Sequence, residues 1–169
     1  MHIFSKLLIS LVLLLFLGCK ANVQPKDYAH NTLSGKILRG HLTIWQGKQL
    51  YGGSLLHSKL YNVFPDQHSF CAKAFKDADA GKASLENVGG HYVYTKTAVN
   101  KASLYFTLAY PKATQFQGQQ VRVYLTFTHT AGGTFIAHYF DKNNKLEKTK
   151  QTGTFELYNK TKQQGCPLS

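Results

Sequence analysis

The sequence predicts an all-β fold, a single antiparallel barrel of eight strands with up-and-down connections. Three observations predict it: apolar and polar residues alternate in several stretches after Gly35, turn residues separate these stretches, and no downstream stretch has a useful length of helical periodicity. A sheet with next-neighbour connections leaves two exposed edges unless it closes into a barrel. A two-sheet β-sandwich is the alternative fold.

Alternation is clearest in four predicted strands, and four less regular stretches complete the set of eight. The clear strands have these apolar faces: Leu38, Leu42 and Ile44 in 36–45; Ala102, Leu104, Phe106, Leu108 and Tyr110 in 101–110; Val121, Val123, Leu125 and Phe127 in 120–129; Phe155 and Leu157 in 152–158. The less regular candidates are 58–64, 67–75, 88–95 and 133–140. Turns are predicted at Gly52-Gly53, Gly89-Gly90, Gly132-Gly133 and Asn143-Asn144.

The strand over 120–129 predicts which side chains line the interior. Its apolar set is assigned inward and the alternating set outward, namely Arg122, Tyr124, Thr126 and Thr128. A barrel of eight strands is just wide enough either to be filled by side chains or to hold one small ligand. Periodicity does not distinguish these two cases.

A series of short motifs runs through the predicted strands: Gly90-His91-Tyr92-Val93-Tyr94-Thr95-Lys96-Thr97, Ala102-Ser103-Leu104, Val123-Tyr124-Leu125-Thr126-Phe127, Gly132-Gly133-Thr134-Phe135 and Gly153-Thr154-Phe155. The series resembles small bacterial calycin-like (MoaF-like) β-barrel domains. The resemblance implies structural roles, with glycines at turns and aromatic side chains lining the barrel. It carries over no catalytic residue.

The N-terminus has the pattern of an export signal. Lys6 precedes an apolar run, residues 7–17, that is interrupted only by Ser10 and is too short for the roughly 20 apolar residues of a membrane span. Gly18-Cys19 follows and resembles the lipobox of bacterial lipoproteins. The resemblance implies that residues 1–18 are a signal peptide and that Cys19 is lipidated. The alternative is an ordinary signal peptide that is cut after Ala21.

Lipidation at Cys19 implies an exported protein that is anchored at the cell envelope. By the resemblance the cysteine carries two or three acyl chains, which give stable anchoring where one chain does not. Lys20 follows the cysteine, a pattern that implies outer-membrane sorting, with the domain on the periplasmic side, in a Gram-negative cell. The predicted organisation is then a tether over 19–34, a barrel domain over 35–160 and a C-terminal tail over 161–169.

Two cysteines, Cys71 and Cys166, remain after processing. In an exported protein an even pair indicates a disulfide, which here would tie the tail to the middle of the chain and stabilise by roughly 2–4 kcal/mol. Two free buried thiols and an intermolecular bond are the alternatives.

The net charge of +12 comes almost wholly from lysine, because Arg39 and Arg122 are the only arginines. Proteins that recognise nucleic acid rely on arginine for bidentate contacts to guanine and phosphate, so nucleic-acid binding is not predicted. The charge favours attraction to anionic envelope surfaces. A basic loop is predicted between the last two strands, formed by Lys142, Lys145, Lys148 and Lys150.

The sequence contains no strong catalytic or metal-binding pattern. Asp66, His68 and Cys71 are close in sequence, but Pro65-Asp66-Gln67 favours a turn. Asp77 and Asp79 resemble the start of a calcium loop without its remaining ligands, and the histidines lack metal spacing. No enzyme activity, cofactor or metal is expected.

Two functional hypotheses follow. The first is a non-enzymatic, membrane-anchored binding module for a small apolar ligand or an envelope component. The second is a protein-interaction or inhibitor lipoprotein with a solid barrel that acts through its outer surface. The identity of a ligand or partner is not predicted.

Overall fold

The computed structural model describes residues 24–46, 59–75, 88–110 and 117–161, which form a closed antiparallel barrel. Its eight strands follow one another around the ring in chain order: β1 (Lys36–Gln46), β2 (Lys59–Phe64), β3 (Ser69–Phe75), β4 (Val88–Ala98), β5 (Lys101–Tyr110), β6 (Gln120–His129), β7 (Gly132–Phe140) and β8 (Leu146–Asn159). No helix in these described residues is long and apolar enough to cross a membrane.

Pairing between the first and last strands closes the ring. β1 and β8 are antiparallel from the pair Lys36–Asn159 to the pair Gln46–Lys150. This ladder leaves neither strand as an edge, so the sandwich alternative is wrong. The prediction of eight strands in an up-and-down barrel is confirmed.

The predicted inward faces of β6 and β8 are confirmed, as is that of β5 from Ala102 to Leu108. The inward side chains of β6 include Leu125 and Phe127, which are only 1 % and 2 % exposed, whereas Tyr124 between them is 44 % exposed. In β8, Phe155 and Leu157 are buried and the intervening Glu156 is exposed. The alternation is this clear because one face of the closed sheet is the core and the other faces solvent.

The prediction that Ile44 shares the inward face of Leu38 and Leu42 is wrong. Leu38 and Leu42 are buried, but Ile44 is 52 % exposed. The pairing of β1 with β8 shifts between Leu42 and Ile44, and such a bulge changes the face on which later side chains lie.

Gly89-Gly90 is not a turn, because both glycines lie inside β4. A Cβ atom on Gly90 would lie 2.0 Å from the carbonyl oxygen of Thr107 in the neighbouring strand β5. The close approach of two backbones, combined with a register shift between Gly89 and Gly90, therefore requires glycine here.

The last part of the predicted tether packs against the barrel. Leu33 is fully buried and Ala29 is 7 % exposed, and both belong to the same core cluster as the inward strand residues. The packed domain thus begins earlier than residue 35. Packing against the end of the barrel buries two apolar side chains of this segment, which is favourable. The mainly polar composition of the segment did not reveal this packing.

Candidate ligand-binding cavity

The two ends of the barrel are formed by different connections. At one end, here named the closed end, lie the short connections 65–68, 99–100 and 130–131 together with the N-terminal segment 27–34. At the other end, here named the cavity end, β1, β3, β5 and β7 finish and β2, β4, β6 and β8 begin.

Hydrogen bonds fasten the N-terminal segment over the closed end. The backbone N–H of Tyr28 donates to the Asn100 side chain at 2.6 Å, and the Tyr94 hydroxyl donates to the carbonyl of His30 at 2.7 Å. The His30 ring nitrogen Nε2 is 2.7 Å from the carbonyl oxygen of Thr130. These bonds tie the segment to β4 and to two different turns.

An ion pair adds to these contacts. Lys96 Nζ lies 2.5 Å from Asp27 Oδ2, and both side chains are about one-third exposed. The hydrogen bond from Lys96, followed by those from the backbone N–H groups of Asn100 and Ala29, holds the pKa of Asp27 below its ordinary value. The carboxylate is thus a fixed acceptor at the start of the packed segment.

Aromatic rings fill the half of the barrel next to the closed end. Phe127 and Phe155 meet edge to face with centroids 5.1 Å apart, and Phe64 lies 4.7 Å from Tyr92. None of these four rings is among the residues that line the cavity in the other half of the barrel. This half of the interior is solidly packed.

Two tyrosines of β4 lie within this packed half. Burial raises the pKa of Tyr92 to about 12, with a further contribution from the nearby Asp66 carboxylate. Burial likewise raises the pKa of Tyr94 to about 12, assisted by Asp27. Both hydroxyls donate to backbone carbonyls, of Asp66 and His30 respectively, so each is held in its neutral form.

A cavity of about 110 Å³ occupies the other half of the barrel. All eight strands contribute to its wall, among them Leu60, Val88, Leu108, Val121 and Tyr139, which lie near the strand ends at the cavity end. Most of the lining side chains are apolar, and none of the described ones is charged. The site is therefore suited to an uncharged, mainly apolar molecule.

One lining residue, Gln151 of β8, is both polar and almost completely buried. It is 1 % exposed, and its side-chain nitrogen Nε2 has no hydrogen-bond partner. Sequence reasoning missed it because the last strand was predicted to begin at residue 152. Extending the period of two backwards from Phe155 through Gly153 would have placed Gln151 on the inner face.

The predicted cysteine sites are only partly described. Cys71 lies on the outer side of β3, between the inward Phe70 and Ala72, and is 3 % exposed. Cys19 and Cys166 lie outside the described residues, so lipidation and the Cys71–Cys166 disulfide both stay predictions.

The four lysines of the predicted basic loop do not all lie in a loop. Lys142 and Lys145 are exposed in the connection between β7 and β8, whereas Lys148 and Lys150 belong to β8 itself. The loop is shorter than predicted because Asp141 closes it, accepting the backbone N–H groups of Asn143 at 2.9 Å and Lys145 at 2.8 Å.

The remaining chemical candidates give no site. Residues 65–68 form the predicted turn, in which Asp66 accepts the backbone N–H groups of His68 and Ser69, both at 2.7 Å. These bonds hold the pKa of Asp66 below its ordinary value. Asp77 and Asp79 lie outside the described residues, and within the described ranges no three His, Cys, Asp or Glu side chains could together hold a metal ion.

Four of the exposed apolar side chains on the outer surface of the barrel form a group, here named the outer apolar patch. Its members lie on β4 to β7 and are between 38 % and 61 % exposed: Val93, Tyr105, Tyr124 and Ile136. Val93 pairs with Tyr105 and Tyr124 pairs with Ile136 across neighbouring strands, so the four lie close together. Arg122, which pairs with Tyr105, lies beside them.

Comparison with known proteins adds no relative: no family model, curated protein or solved structure matches this chain significantly.

Proposed function

We propose that this protein is a non-enzymatic binding module that holds a small, mainly apolar ligand inside its barrel and is anchored at the cell envelope through Cys19. The observation that carries the proposal is the apolar cavity in the half of the barrel next to the cavity end. In the opposite half, the rings of Phe64, Tyr92, Phe127 and Phe155 pack against one another in pairs.

The apolar surface of this cavity supports a role for it. Contact of apolar surface with water is unfavourable by roughly 25 cal/mol per Å². A mainly apolar ligand that fills the cavity removes this surface from water and gains affinity in proportion.

The volume limits what the ligand can be. An engineered apolar cavity of about 150 Å³ binds benzene, whereas pockets for drug-sized molecules measure about 300–1,000 Å³. At about 110 Å³, the cavity fits a molecule of a few carbon atoms or the end group of a longer molecule that enters from the cavity end.

Two buried alanines on different strands allow a direct test of binding. Ala137 lines the cavity, and Ala102 is equally buried but does not line it. Ala137→Leu should fill the space, leave stability unchanged or higher, and abolish ligand retention. Ala102→Leu is the control, since overpacking there should destabilise by about 1–3 kcal/mol without displacing the ligand.

The measurement is native mass spectrometry of full-length protein extracted from membranes, combined with a urea denaturation of each variant. Wild type should retain a small molecule that Ala137→Leu lacks. A wild type free of any bound molecule, or a ligand that survives Ala137→Leu, would contradict the proposed site.

The anchor has its own test. The short apolar run that ends at Gly18-Cys19 supports lipidation. Cys19→Ser should stay uncleaved or leave the membrane fraction, as seen by immunoblotting of fractionated cells. Normal processing and unchanged fractionation would argue against a lipoprotein.

The outer apolar patch supports the second hypothesis, an interaction lipoprotein that acts through its surface. Exposed apolar groups of this kind often mark protein contacts, and the neighbouring Arg122 together with a net charge of +12 favours an acidic protein partner. A photo-crosslinking residue placed at Tyr124 would then capture one acidic protein in intact cells. The same residue placed at Thr154, an exposed position on β8, is the control and should not capture it.

A further inference from the structure

The cavity wall contains a polar group that the packing leaves unused. Gln151 lines the cavity at 1 % exposure, and its Nε2 has no acceptor. Asn62 and Tyr139 are the other residues of the wall with polar side chains, and Asn62 is only partly buried. Gln151 is therefore the most deeply buried polar side chain of the wall.

A donor in this position needs an explanation, because buried polar groups in native proteins almost always have a partner. The residue faces inward because β8 alternates strictly, with Thr149, Gly153 and Phe155 also buried. A leucine or methionine would satisfy the same inward position without leaving a donor unpaired. The observation points to an acceptor that occupies the cavity.

We propose that the side-chain amide of Gln151 donates a hydrogen bond to an oxygen atom of the bound ligand, and that this ligand is a small neutral carbonyl compound. The inference rests on the proposed function and names the chemical class of its ligand. A carboxylate is disfavoured because none of the described lining residues carries a positive charge, and burial of an unpaired anion is strongly unfavourable.

Two probe molecules of the same shape test this chemistry. Cyclopentanone and methylenecyclopentane differ only in a carbonyl oxygen that is replaced by a CH₂ group, and both are compact enough for a cavity of this size. Titration into isotope-labelled full-length protein, followed by NMR, gives an affinity for each. Wild type should show a ratio of ketone affinity to hydrocarbon affinity about 3- to 10-fold higher than a variant without the donor, as expected for one net hydrogen bond.

Gln151→Met removes the donor and keeps the length of the side chain. This variant should have a lower ratio of ketone affinity to hydrocarbon affinity than wild type and retain the affinity for the hydrocarbon. Gln119→Met is the matched control, because Gln119 is also buried and also has an unpartnered atom, Oε1, but does not line the cavity. Its preference should equal that of wild type.

The outcomes separate the two proposals. If Gln151→Met has the same ratio of ketone affinity to hydrocarbon affinity as wild type, the hydrogen bond from Gln151 is refuted while the binding cavity stands. If wild type binds neither probe at millimolar concentration, the proposed function fails together with this inference.

A second measurement needs no variant and therefore does not depend on the folding of Gln151→Met. The side-chain amide protons of Gln151 in wild type should shift downfield with cyclopentanone and not with methylenecyclopentane. An amide resonance that is unchanged by the ketone would overturn the inference.

Discussion

Truncation of Phe127 to alanine is the sharpest test of how the barrel is packed. Phe127 is 2 % exposed in the packed half of the interior, edge to face with Phe155 at 5.1 Å and 6.0 Å from the His30 ring. It does not line the cavity. Its removal therefore creates a new void and does not merely enlarge an existing one.

The expected loss is large. Phe→Ala substitutions in packed cores destabilise by about 3–5 kcal/mol, and an edge-to-face pair contributes about 0.5–1.5 kcal/mol of this beyond simple burial. The site has little freedom to collapse, because a Cβ atom on Gly133, the pairing partner of Phe127, would lie 2.0 Å from the Thr126 carbonyl oxygen. We expect a loss of about 4 kcal/mol.

Urea denaturation of purified wild type and variant measures this loss. With a slope of about 2 kcal/mol per molar urea, the midpoint should fall by about 2 M. Tyr124→Ala is the control on the outer side of the same strand and should change stability by no more than about 0.5 kcal/mol. A Phe127→Ala midpoint equal to that of the control would refute the packing described for this half of the barrel.

Three further predictions concern the tyrosines, the N-terminal segment and the cysteines. The folded state raises the pKa of Tyr92 from 10.0 to about 12, so the contribution of its neutral hydroxyl to stability is complete below pH 10 and is lost as the pH rises through 12. Tyr92→Phe should therefore lose less stability at alkaline pH than wild type, as measured by denaturation midpoints. An identical loss in both proteins would exclude Tyr92 as its source. The lowered pKa of Asp27 means that its carboxylate stabilises the folded state at pH values above 3.8, its ordinary pKa, and does so less as the pH falls below that value. Asp27→Asn should therefore speed amide hydrogen exchange at Tyr28 at neutral pH. Exchange equal to that of wild type would show that the ion pair does not fasten the N-terminal segment. Thiol labelling of the unreduced, unfolded mature protein should find neither Cys71 nor Cys166, and labelling of both would defeat the predicted disulfide.

The clearest strands, β6 and β8, were predictable from sequence because their buried side chains alternate with more exposed ones. That signal failed at Ile44, since the bulge after Leu42 changes which face is buried and leaves no mark in composition. It also failed at the start of β8, where the inward residues Thr149 and Gln151 are polar and conceal the alternation.

The cavity was not predictable. Whether a barrel is filled depends on the summed volumes of side chains from all eight strands and on their rotamers, and the pattern of alternation contains neither. Gln151 is the clearest case: its inward position follows from strand period, but the absence of a partner for Nε2 required the three-dimensional surroundings.

The N-terminal segment also determines which end of the barrel is joined to the proposed membrane anchor. For a protein anchored through Cys19, as proposed, the eight Cα–Cα steps from Cys19 to Asp27 reach at most about 29 Å in any conformation. Because Asp27 is fixed at the closed end, the anchor attaches there, and the cavity end lies at the far side of the barrel from the point of attachment. Exchange of ligand would then proceed through water and not sideways from the lipid, which favours molecules soluble enough to diffuse on their own over the long-chain components of the membrane itself.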